Sequence, residues 1–251
     1  MGIEITQNLP EDIWRSFVKQ HLDSSIFQTP EMFNVFKNAR GHEPFLWAVV
    51  NSNQEPLAIF LPVNTSLNNG PFQYFTTLSI CFGSVLSIPR AEGNEALNLH
   101  LKTYKHHTTK GSLFTELRNL SDLSSIQPVF EDQGFDFEPH LNYLVNLRQP
   151  VNELKRNMDS EVMTKEEFPF LYSVVQNVFK RIQVPLAHIS LFASAFHILY
   201  PLQMIKVLAA SADGTIIGAA IRLLYKDNIF DWYAGALRSH ATFKAHDLLN
   251  W

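Results

Sequence analysis

Cysteine is almost absent from this sequence. The 251-residue chain has a single one, Cys81, so an intramolecular disulfide is excluded and a metal site built from cysteines nearly so. Cys81 lies in the apolar stretch Ser-Ile-Cys-Phe, which predicts a buried thiol that packs as a small apolar side chain rather than a nucleophile.

Long apolar runs are absent as well. No stretch approaches the run of about 18 apolar residues that a membrane-spanning helix needs. The first residues, Met1-Gly2-Ile3-Glu4, lack the basic and then apolar pattern of a secretory signal. We therefore expect a cytoplasmic protein that does not insert into a membrane.

Charge is scarce and nearly balanced. The 20 Lys and Arg and 24 Asp and Glu give a net charge of −4, which provides no overall attraction to DNA or to an anionic membrane. A local basic patch remains open. The sequence has one run of basic residues: His100, Lys102, Lys105, His106, His107 and Lys110. We interpret this run as a solvated helix face, with a contact to phosphate or RNA as the alternative.

Apolar and aromatic residues are abundant instead, with 46% apolar residues and 20 Phe, which is typical of a globular protein with an aromatic core. No Ser-His-Asp order, Gly-x-Ser-x-Gly or Walker motif is present, so hydrolase and nucleotide-triphosphatase functions have no support.

Helical and alternating apolar patterns predict an α/β order in the first half of the chain. Thr29 and Pro30 form a helix start, and Gly83 breaks a β-rich stretch. The other predicted elements are a helix over 10–22, a hairpin of strands over 45–50 and 57–61, a helix over 94–106, a strand over 113–117, a helix over 122–132 capped by Ser121, and a strand over 141–147.

The second half repeats this order and then stops early. Gln149-Pro150 marks a boundary, so we predict one unit over 1–148 and a second over 149–251. The predicted elements of the second unit are helices over 165–181 and 190–199, strands over 205–210, 215–225 and 229–233, and a helix from Ser239 to Trp251. A copy that lacks its last two strands exposes a sheet edge. We therefore expect a missing segment or a partner that covers this edge, and a loop that is absent from the sequence between about Met158 and Ser160.

Several phrases of the sequence resemble one known family. They are Phe114-Thr115-Glu116-Leu117-Arg118-Asn119, Gly134-Phe135, the run 140–147, Val184-Pro185-Leu186, the run 231–236, and Leu248-Leu249-Asn250-Trp251. The element order is similar to that of the GCN5-related N-acyltransferase (GNAT) fold, and the phrases resemble the FemAB-like family. Those are tandem GNAT proteins that include the aminoacyltransferases that build peptidoglycan bridges.

The resemblance implies a fold class and a reaction. It implies two tandem GNAT-like units with mixed sheets, the second incomplete, that transfer an acyl or aminoacyl group to an amine without a metal or a resident cofactor. The acceptor it implies is a cell-wall precursor, with a polysaccharide or a small amine as alternatives, and the donor it implies is aminoacyl-tRNA. A CoA-dependent N-acyltransferase and a non-catalytic binding module are the alternatives.

The acetyl-CoA signature of the GNAT fold, Gln/Arg-x-x-Gly-x-Gly/Ala, is matched only in part. The run from Arg90 to Glu95 has the arginine and the first glycine, but Glu95 replaces the small residue and would repel phosphate. The run after Tyr233 does not match at all. This favours the aminoacyl-tRNA donor over acyl-CoA.

Five residues are candidates for the site. Asp231 and Tyr233 lie on a strand that leads to a helix, where Asp231 would accept a proton from the amine and Tyr233 would donate one to the leaving group. The alternative is that Trp232 or Tyr233 packs in the core. Lys37 is a candidate for binding a substrate phosphate, as the resemblance implies, with a solvated helix lysine as the alternative. Arg222 interrupts an apolar strand, so it lies on an open sheet face or meets an anion. Asn119 follows a strand end, as part of the cleft or as a turn cap.

Overall fold

A computed structural model describes residues 2–66, 76–108, 112–140, 160–162, 168–212, 215–243 and 249. The chain divides into two compact units, Met1–Asn142 and Tyr143–Trp251, hereafter unit 1 and unit 2. Residues 141–159, which contain the predicted boundary, the predicted strand over 141–147 and most of the predicted loop site, lie outside the described residues. The fold is α/β, and the described residues form three sheets, of which one is mixed and two are antiparallel.

Unit 1 contains two four-stranded sheets that share the same chain segments. The strands are β1 (Ile3–Thr6), β2 (His42–Pro44), β3 (Trp47–Asn51), β4 (Pro56–Phe60), β5 (Val63–Ser66), β6 (Thr77–Phe82), β7 (Leu86–Ser87) and β8 (Thr115–Arg118). The sheet orders are β1-β3-β4-β7 and β2-β5-β6-β8. Three bent segments, 42–51, 56–66 and 77–87, each supply one strand to each sheet. The pair of β6 and β8 is parallel and the other pairs are antiparallel.

Four helices accompany these sheets: α1 (Glu11–Gln20), α2 (Pro30–Lys37), α3 (Ala91–Thr108) and α4 (Gln127–Asp132). The predicted start of α2 is confirmed, since the Thr29 hydroxyl accepts a hydrogen bond from the Met32 N–H. The predicted start of α4 at Asp122 is wrong. The Asp122 carboxylate accepts the Ser124 N–H at 2.9 Å in a local turn, and the helix begins only at Gln127.

The core of unit 1 ties α3 to the parallel strand pair. The Tyr104 hydroxyl lies 2.8 Å from the Ser79 hydroxyl and 3.0 Å from that of Thr115, and these two residues face each other on β6 and β8. Cys81 packs in the same core at 0% exposure, and burial raises the pKa of its thiol to about 12. The prediction of a buried, unreactive thiol is confirmed.

In unit 2 the described residues form one antiparallel sheet in the order β12-β11-β10-β9. Its strands are β9 (Ser160–Val162), β10 (Ile205–Ala212), β11 (Thr215–Tyr225) and β12 (Asn228–Ala236), and its helices are α5 (Phe168–Arg181) and α6 (Ile189–Leu199). A 3-10 helix over Arg238–Phe243 stands at the start of the helix predicted from Ser239. Within the described parts of unit 2, β12 pairs with β11 alone, and a segment or partner at its other edge stays a prediction. In the described ranges of both units, no helix is long and apolar enough to cross a bilayer.

His100 corrects the interpretation of the basic run as a solvated face. Lys102, Lys105 and His107 are exposed on α3, but His100 is 0% exposed, and its ring lies 5.5 Å from that of Phe60 and 6.3 Å from that of Trp47. The helical period explains this, because position 100 falls on the apolar stripe of α3. Neither ring nitrogen has a hydrogen-bond partner among the described residues.

The buried imidazole makes the fold sensitive to acid. Burial lowers the pKa of His100 to about 3, from an ordinary value of 6.5. Between these values the unfolded chain binds a proton that the folded chain does not, so stability falls as the pH falls, by up to about 1.4 kcal/mol per pH unit.

We expect H100L to remove this acid sensitivity. Urea unfolding from pH 7 to pH 4 should show the variant gaining stability over the parent as the pH falls, because leucine carries no proton site and leaves no unpaired nitrogen. A difference that stays constant across this range would contradict the expectation.

Candidate active site

The parallel strands β6 and β8 of unit 1 separate after their last hydrogen bond. The point of separation, between Gly83-Ser84 on one strand and Arg118-Asn119 on the other, is called here the fork. The Gly83 N–H donates to the Arg118 oxygen at 2.9 Å, and this is the end of the pairing between β6 and β8. The chain then turns through two left-handed residues, Gly83 at φ +75° and Ser84 at φ +61°, before it continues as β7 in the other sheet. The sequence predicted this break at Gly83, and the structure confirms it.

The buried side chain of Gln28 holds the turn in place. Its Nε2 donates to the Gly83 oxygen at 2.5 Å and to the Ser84 oxygen at 3.4 Å. Its Oε1 accepts from the backbone N–H and the hydroxyl of Ser25, both at 2.7 Å. Because Gln28 is 0% exposed and bonded at both ends of its amide, the position of the fork is fixed by a rigid contact.

Two buried side-chain oxygens at the fork have no hydrogen-bond partner among the described residues. They are Ser84 Oγ and Asn119 Oδ1. Ser84 and Asn119 are the next residues after Gly83 and Arg118, which share the last rung, so the two oxygens belong to neighbouring positions of the diverging strands. A buried oxygen without a donor costs about 1–3 kcal/mol, and a ligand that donates hydrogen bonds would recover this. Asn119, predicted as a substrate-binding residue, therefore lies at the fork.

Aromatic and cationic side chains surround the last residue of β6. The half-buried ring of Phe82 stacks on the rings of Phe27 and Phe36 at 5.4 and 5.5 Å, and the Arg118 guanidinium lies 5.2 Å from its centre. Arg118 also pairs with Glu116 at 2.9 Å. The candidate Lys37 follows Phe36 at the end of α2 and is exposed.

The partial acetyl-CoA signature serves the packing of α3. A Cβ on Gly93 would lie 2.0 Å from the Ile88 oxygen, so glycine is required there whether or not a phosphate binds. The N–H groups of Gly93 and Asn94 both donate to the Arg90 oxygen, at 2.9 and 3.3 Å. These two donors are therefore already used, which leaves a pyrophosphate fewer partners at this loop.

In unit 2 the structure brings Arg222 and Asp231 together. Arg222 Nε donates to Asp231 Oδ1 at 2.7 Å, and its Nη2 donates to the backbone oxygen of Leu249. The side chain of Arg222 is 15% exposed and that of Asp231 is 58% exposed. Arg222 therefore meets an anion, which was one of the two alternatives, and this anion is the Asp231 carboxylate of the same sheet.

The structure separates Asp231 from Tyr233. In the register of β11 and β12, Ile221 pairs with Tyr233 but Arg222 pairs with Asp231, so Trp232 is an extra, bulged residue. Ile221 and Arg222 are consecutive, so their side chains lie on opposite faces of the sheet. Tyr233 therefore lies on the face of Ile221, and Asp231 lies on the face of Arg222. The Tyr233 ring packs 4.7 Å from that of Phe192 on α6, on the other face from Asp231. The two candidates therefore do not form one proton-transfer pair.

The sequence prediction missed Ser84 and Gln28. A local signal for Gln28 was present, because Ser25-x-x-Gln28 is a capping box, and the structure contains it at the start of a 3-10 turn over Ile26–Gln28. The contact between Gln28 and Gly83 spans 55 residues of sequence, and no local pattern shows it.

The architecture is similar to that of several solved structures, although the sequence has no match. The sequence matches no protein-family model and no curated protein. The structure is similar to that of FemX, with a TM-score of 0.68 and 12% identity over 100% of this chain and 84% of that one. It is also similar to a tandem GNAT protein from the clavulanic acid biosynthesis pathway (TM-score 0.56, 10% identity, 99% of this chain and 85% of that one).

A third similar structure is a GCN5-related glucosamine N-acetyltransferase region of a fungal multi-domain β-N-acetylglucosaminidase. Its TM-score is 0.55 and its identity 13%, over 99% of this chain and 34% of that one. At such low identities these likenesses establish the fold, which is α/β of the GNAT type, in agreement with the prediction.

We expect G83A to destabilise unit 1 and to distort the fork. A Cβ at this position would lie 2.5 Å from Gln28 Nε2, and alanine disfavours φ +75°, so we expect a loss of about 2 kcal/mol in urea unfolding. G2A is the matched control, since a Cβ there meets nothing within 4 Å. Equal stability of the two variants would show that the turn does not need glycine.

We expect R222Q and D231N to be coupled in a double-mutant cycle. The pair is partly exposed, so its interaction energy should be about 0.5–1 kcal/mol, measured by urea unfolding of the two single variants and the double variant. Additive effects would show that the ion pair contributes nothing to the stability of unit 2.

Proposed function

We propose that this protein transfers an acyl or aminoacyl group to an amine and so forms an amide. The observation that carries the proposal is the fork in unit 1, where two strands of a GNAT-type sheet diverge and leave the buried oxygens of Ser84 and Asn119 unpaired. Diverging parallel strands provide a slot into which an extended substrate fits as an extra strand.

The unpaired oxygens favour a substrate that contains amide groups. Both oxygens are buried in the free chain, so a substrate would reach them only if the two strands part further. Asn119 Oδ1 accepts hydrogen bonds, and the Ser84 hydroxyl accepts or donates them, so an N–H of an extended amide chain would then satisfy either. Such a chain would extend the hydrogen-bonded pairing beyond the bond between Gly83 and Arg118. The turn that Gln28 holds in place would lie beside it. The fork would thus orient the reacting groups within one complex.

Orientation is the main contribution that these residues would make to the chemistry. The amine nitrogen attacks the acyl carbonyl carbon, the bond from that carbon to the donor oxygen or sulfur breaks, and the leaving group takes up the proton that the amine loses. At the fork the two charged side chains nearest the last rung, Arg118 and Glu116, are paired with each other. Binding the reactants in an attack geometry is therefore the contribution that we assign to the fork.

For the substrates we propose an aminoacyl-tRNA donor and a cell-wall precursor as acceptor. This rests on the resemblance to the bridge-forming aminoacyltransferases and on the loop before α3, where the N–H groups of Gly93 and Asn94 are already bonded. The exposed ammonium of Lys37 is the proposed contact for a phosphate of the acceptor. We assign Arg222 a structural role, because Asp231 and the Leu249 oxygen occupy its guanidinium.

A ligand screen tests the proposal. The full chain is melted with acetyl-CoA, longer acyl-CoAs, charged and uncharged tRNA, and a UDP-linked muropeptide, and a ligand that binds the folded state raises the midpoint. Mass spectrometry then detects the amide product from the donor and acceptor that bind. Binding of CoA compounds alone would favour the CoA-dependent alternative, and binding without product would favour a binding module.

We expect N119A to lower kcat/KM for the productive pair by about tenfold or more, because it removes an oxygen that the bound substrate would pair. The folded protein should be no less stable, since Asn119 Oδ1 has no partner among the described residues in the free chain. N53A, in the exposed turn between β3 and β4, is the matched control and should keep full activity. Unchanged kinetics in N119A would place the reaction away from the fork.

A further inference from the structure

The connection between α5 and α6 is an exposed apolar surface. This segment, residues 180–189, is called here the α5–α6 turn. Its side chains of Ile182, Val184 and Ile189 are 52%, 47% and 36% exposed. Exposed apolar side chains that lie together mark an interaction surface, whereas single ones are ordinary.

The backbone of this turn is well ordered. The Val184 N–H donates to the Phe179 oxygen at 3.1 Å and the Gln183 N–H donates to the Lys180 oxygen at 3.3 Å, with Gln183 at φ +57°. This is a Schellman helix end, and it usually has glycine at the left-handed position. The turn therefore holds Ile182 and Val184 outward in a fixed geometry.

The sequence around this turn carries charge of one sign. No Asp or Glu occurs from Phe168 to Ala212, although the chain contains 24 of them. Lys180 and Arg181 are exposed at the end of α5. Neither of them forms an ion pair within the part of the chain that the structure describes. In a chain of net charge −4, this combination of cations and apolar side chains fits a partner that is both anionic and apolar.

A cleft beside the turn adds donors for an anionic group. Its volume is about 420 Å³, and it opens between α5 and residues 184–186. Its lining includes the polar residues Gln176, Asn177 and Lys180 and the apolar residues Val184 and Leu186. Four lining side chains carry donor groups, and none is a carboxylate. The Tyr172 hydroxyl already donates to the Ala187 oxygen at 3.2 Å, so Gln176, Asn177 and Lys180 are the donors that would meet a headgroup phosphate.

We propose that the α5–α6 turn binds the surface of an anionic phospholipid bilayer. Ile182 and Val184 enter the boundary between headgroups and acyl chains, and Lys180 and Arg181 contact the lipid phosphates. This is attachment to a surface and needs no spanning helix. It does not depend on the proposed acyl transfer, and its test uses no substrate.

An RNA or another soluble polyanion is the competing partner, and the apolar side chains distinguish it. A polyanion in water would pair with Lys180 and Arg181 but would gain little from Ile182 and Val184. A bilayer surface uses both groups, because it combines anionic headgroups with an apolar interior. Variants of the two groups therefore give different results for the two partners.

Vesicle flotation of the full chain tests the proposal. The probes are phosphatidylcholine vesicles with and without phosphatidylglycerol at about one third of the lipid. We expect binding to the anionic vesicles only. K180Q/R181Q should weaken it about fivefold for each cation removed, and I182S/V184S about tenfold or more in total. The matched control is K19Q/L22S, which removes an exposed cation and a 94% exposed leucine from unit 1, and it should bind as the parent does.

Three outcomes would overturn the proposal. One is no flotation of the parent chain with anionic vesicles. Another is equal loss in K19Q/L22S, which would show that the binding is unspecific. The third is loss in K180Q/R181Q but not in I182S/V184S, together with release by tRNA, which would identify a soluble polyanion as the partner. The melting midpoints of all variants should match the parent, because the substituted side chains are exposed.

Discussion

The hydrogen bonds from the buried Gln28 amide to the backbone oxygens of Gly83 and Ser84 determine where the sheet of unit 1 opens. Without them, the residues after β6 would be free to continue in regular pairing with β8. With them, the chain leaves the ladder through two left-handed residues and joins the other sheet as β7. The unpaired oxygens of Ser84 and Asn119 are a result of this departure, so the candidate active site depends on one amide that lies outside it.

The second unit also departs from regular pairing, but by a different device. The bulge at Trp232 shifts the register of β12, so that Asp231 lies on the face of Arg222 and Tyr233 lies on the face of α6. A bulge of one residue thus assigns the polar pair to one face and the aromatic ring to the other. In unit 1 the irregularity ends the pairing of two strands. In unit 2 the bulge changes which face each side chain lies on, and the pairing of β11 and β12 continues past it.

Much of the fold could be predicted from the sequence because its signals are local. The start of α2 at Thr29 and the break at Gly83 follow from the preferences of single residues, and the apolar periods of the strands set the α/β order. The prediction of a helix from Asp122 was wrong because the Asp122 carboxylate accepts a hydrogen bond from the Ser124 N–H in a local turn. The prediction that His100 is solvent-exposed was wrong because it was based on the residue type, whereas the position of His100 on α3 places it in the core.

The candidate site was harder to predict because its geometry depends on contacts between distant residues and on register. Asn119 was identified through its place at a strand end, but its unpaired oxygen appears only when Gly83 and Arg118 are paired. Asp231 and Tyr233 are two positions apart, which in a regular strand would place them on one face. One bulged residue reverses this, and no period in the sequence indicates it.

The buried thiol of Cys81 has a practical consequence for chemical labelling. It is 0% exposed, and with a pKa of about 12 it carries almost no thiolate at neutral pH. A cysteine introduced on the surface, for example in place of the 94% exposed Leu22, would therefore be the only thiol to react with a maleimide dye. A chain with one such introduced cysteine therefore accepts a single fluorescent or spin label without removal of Cys81.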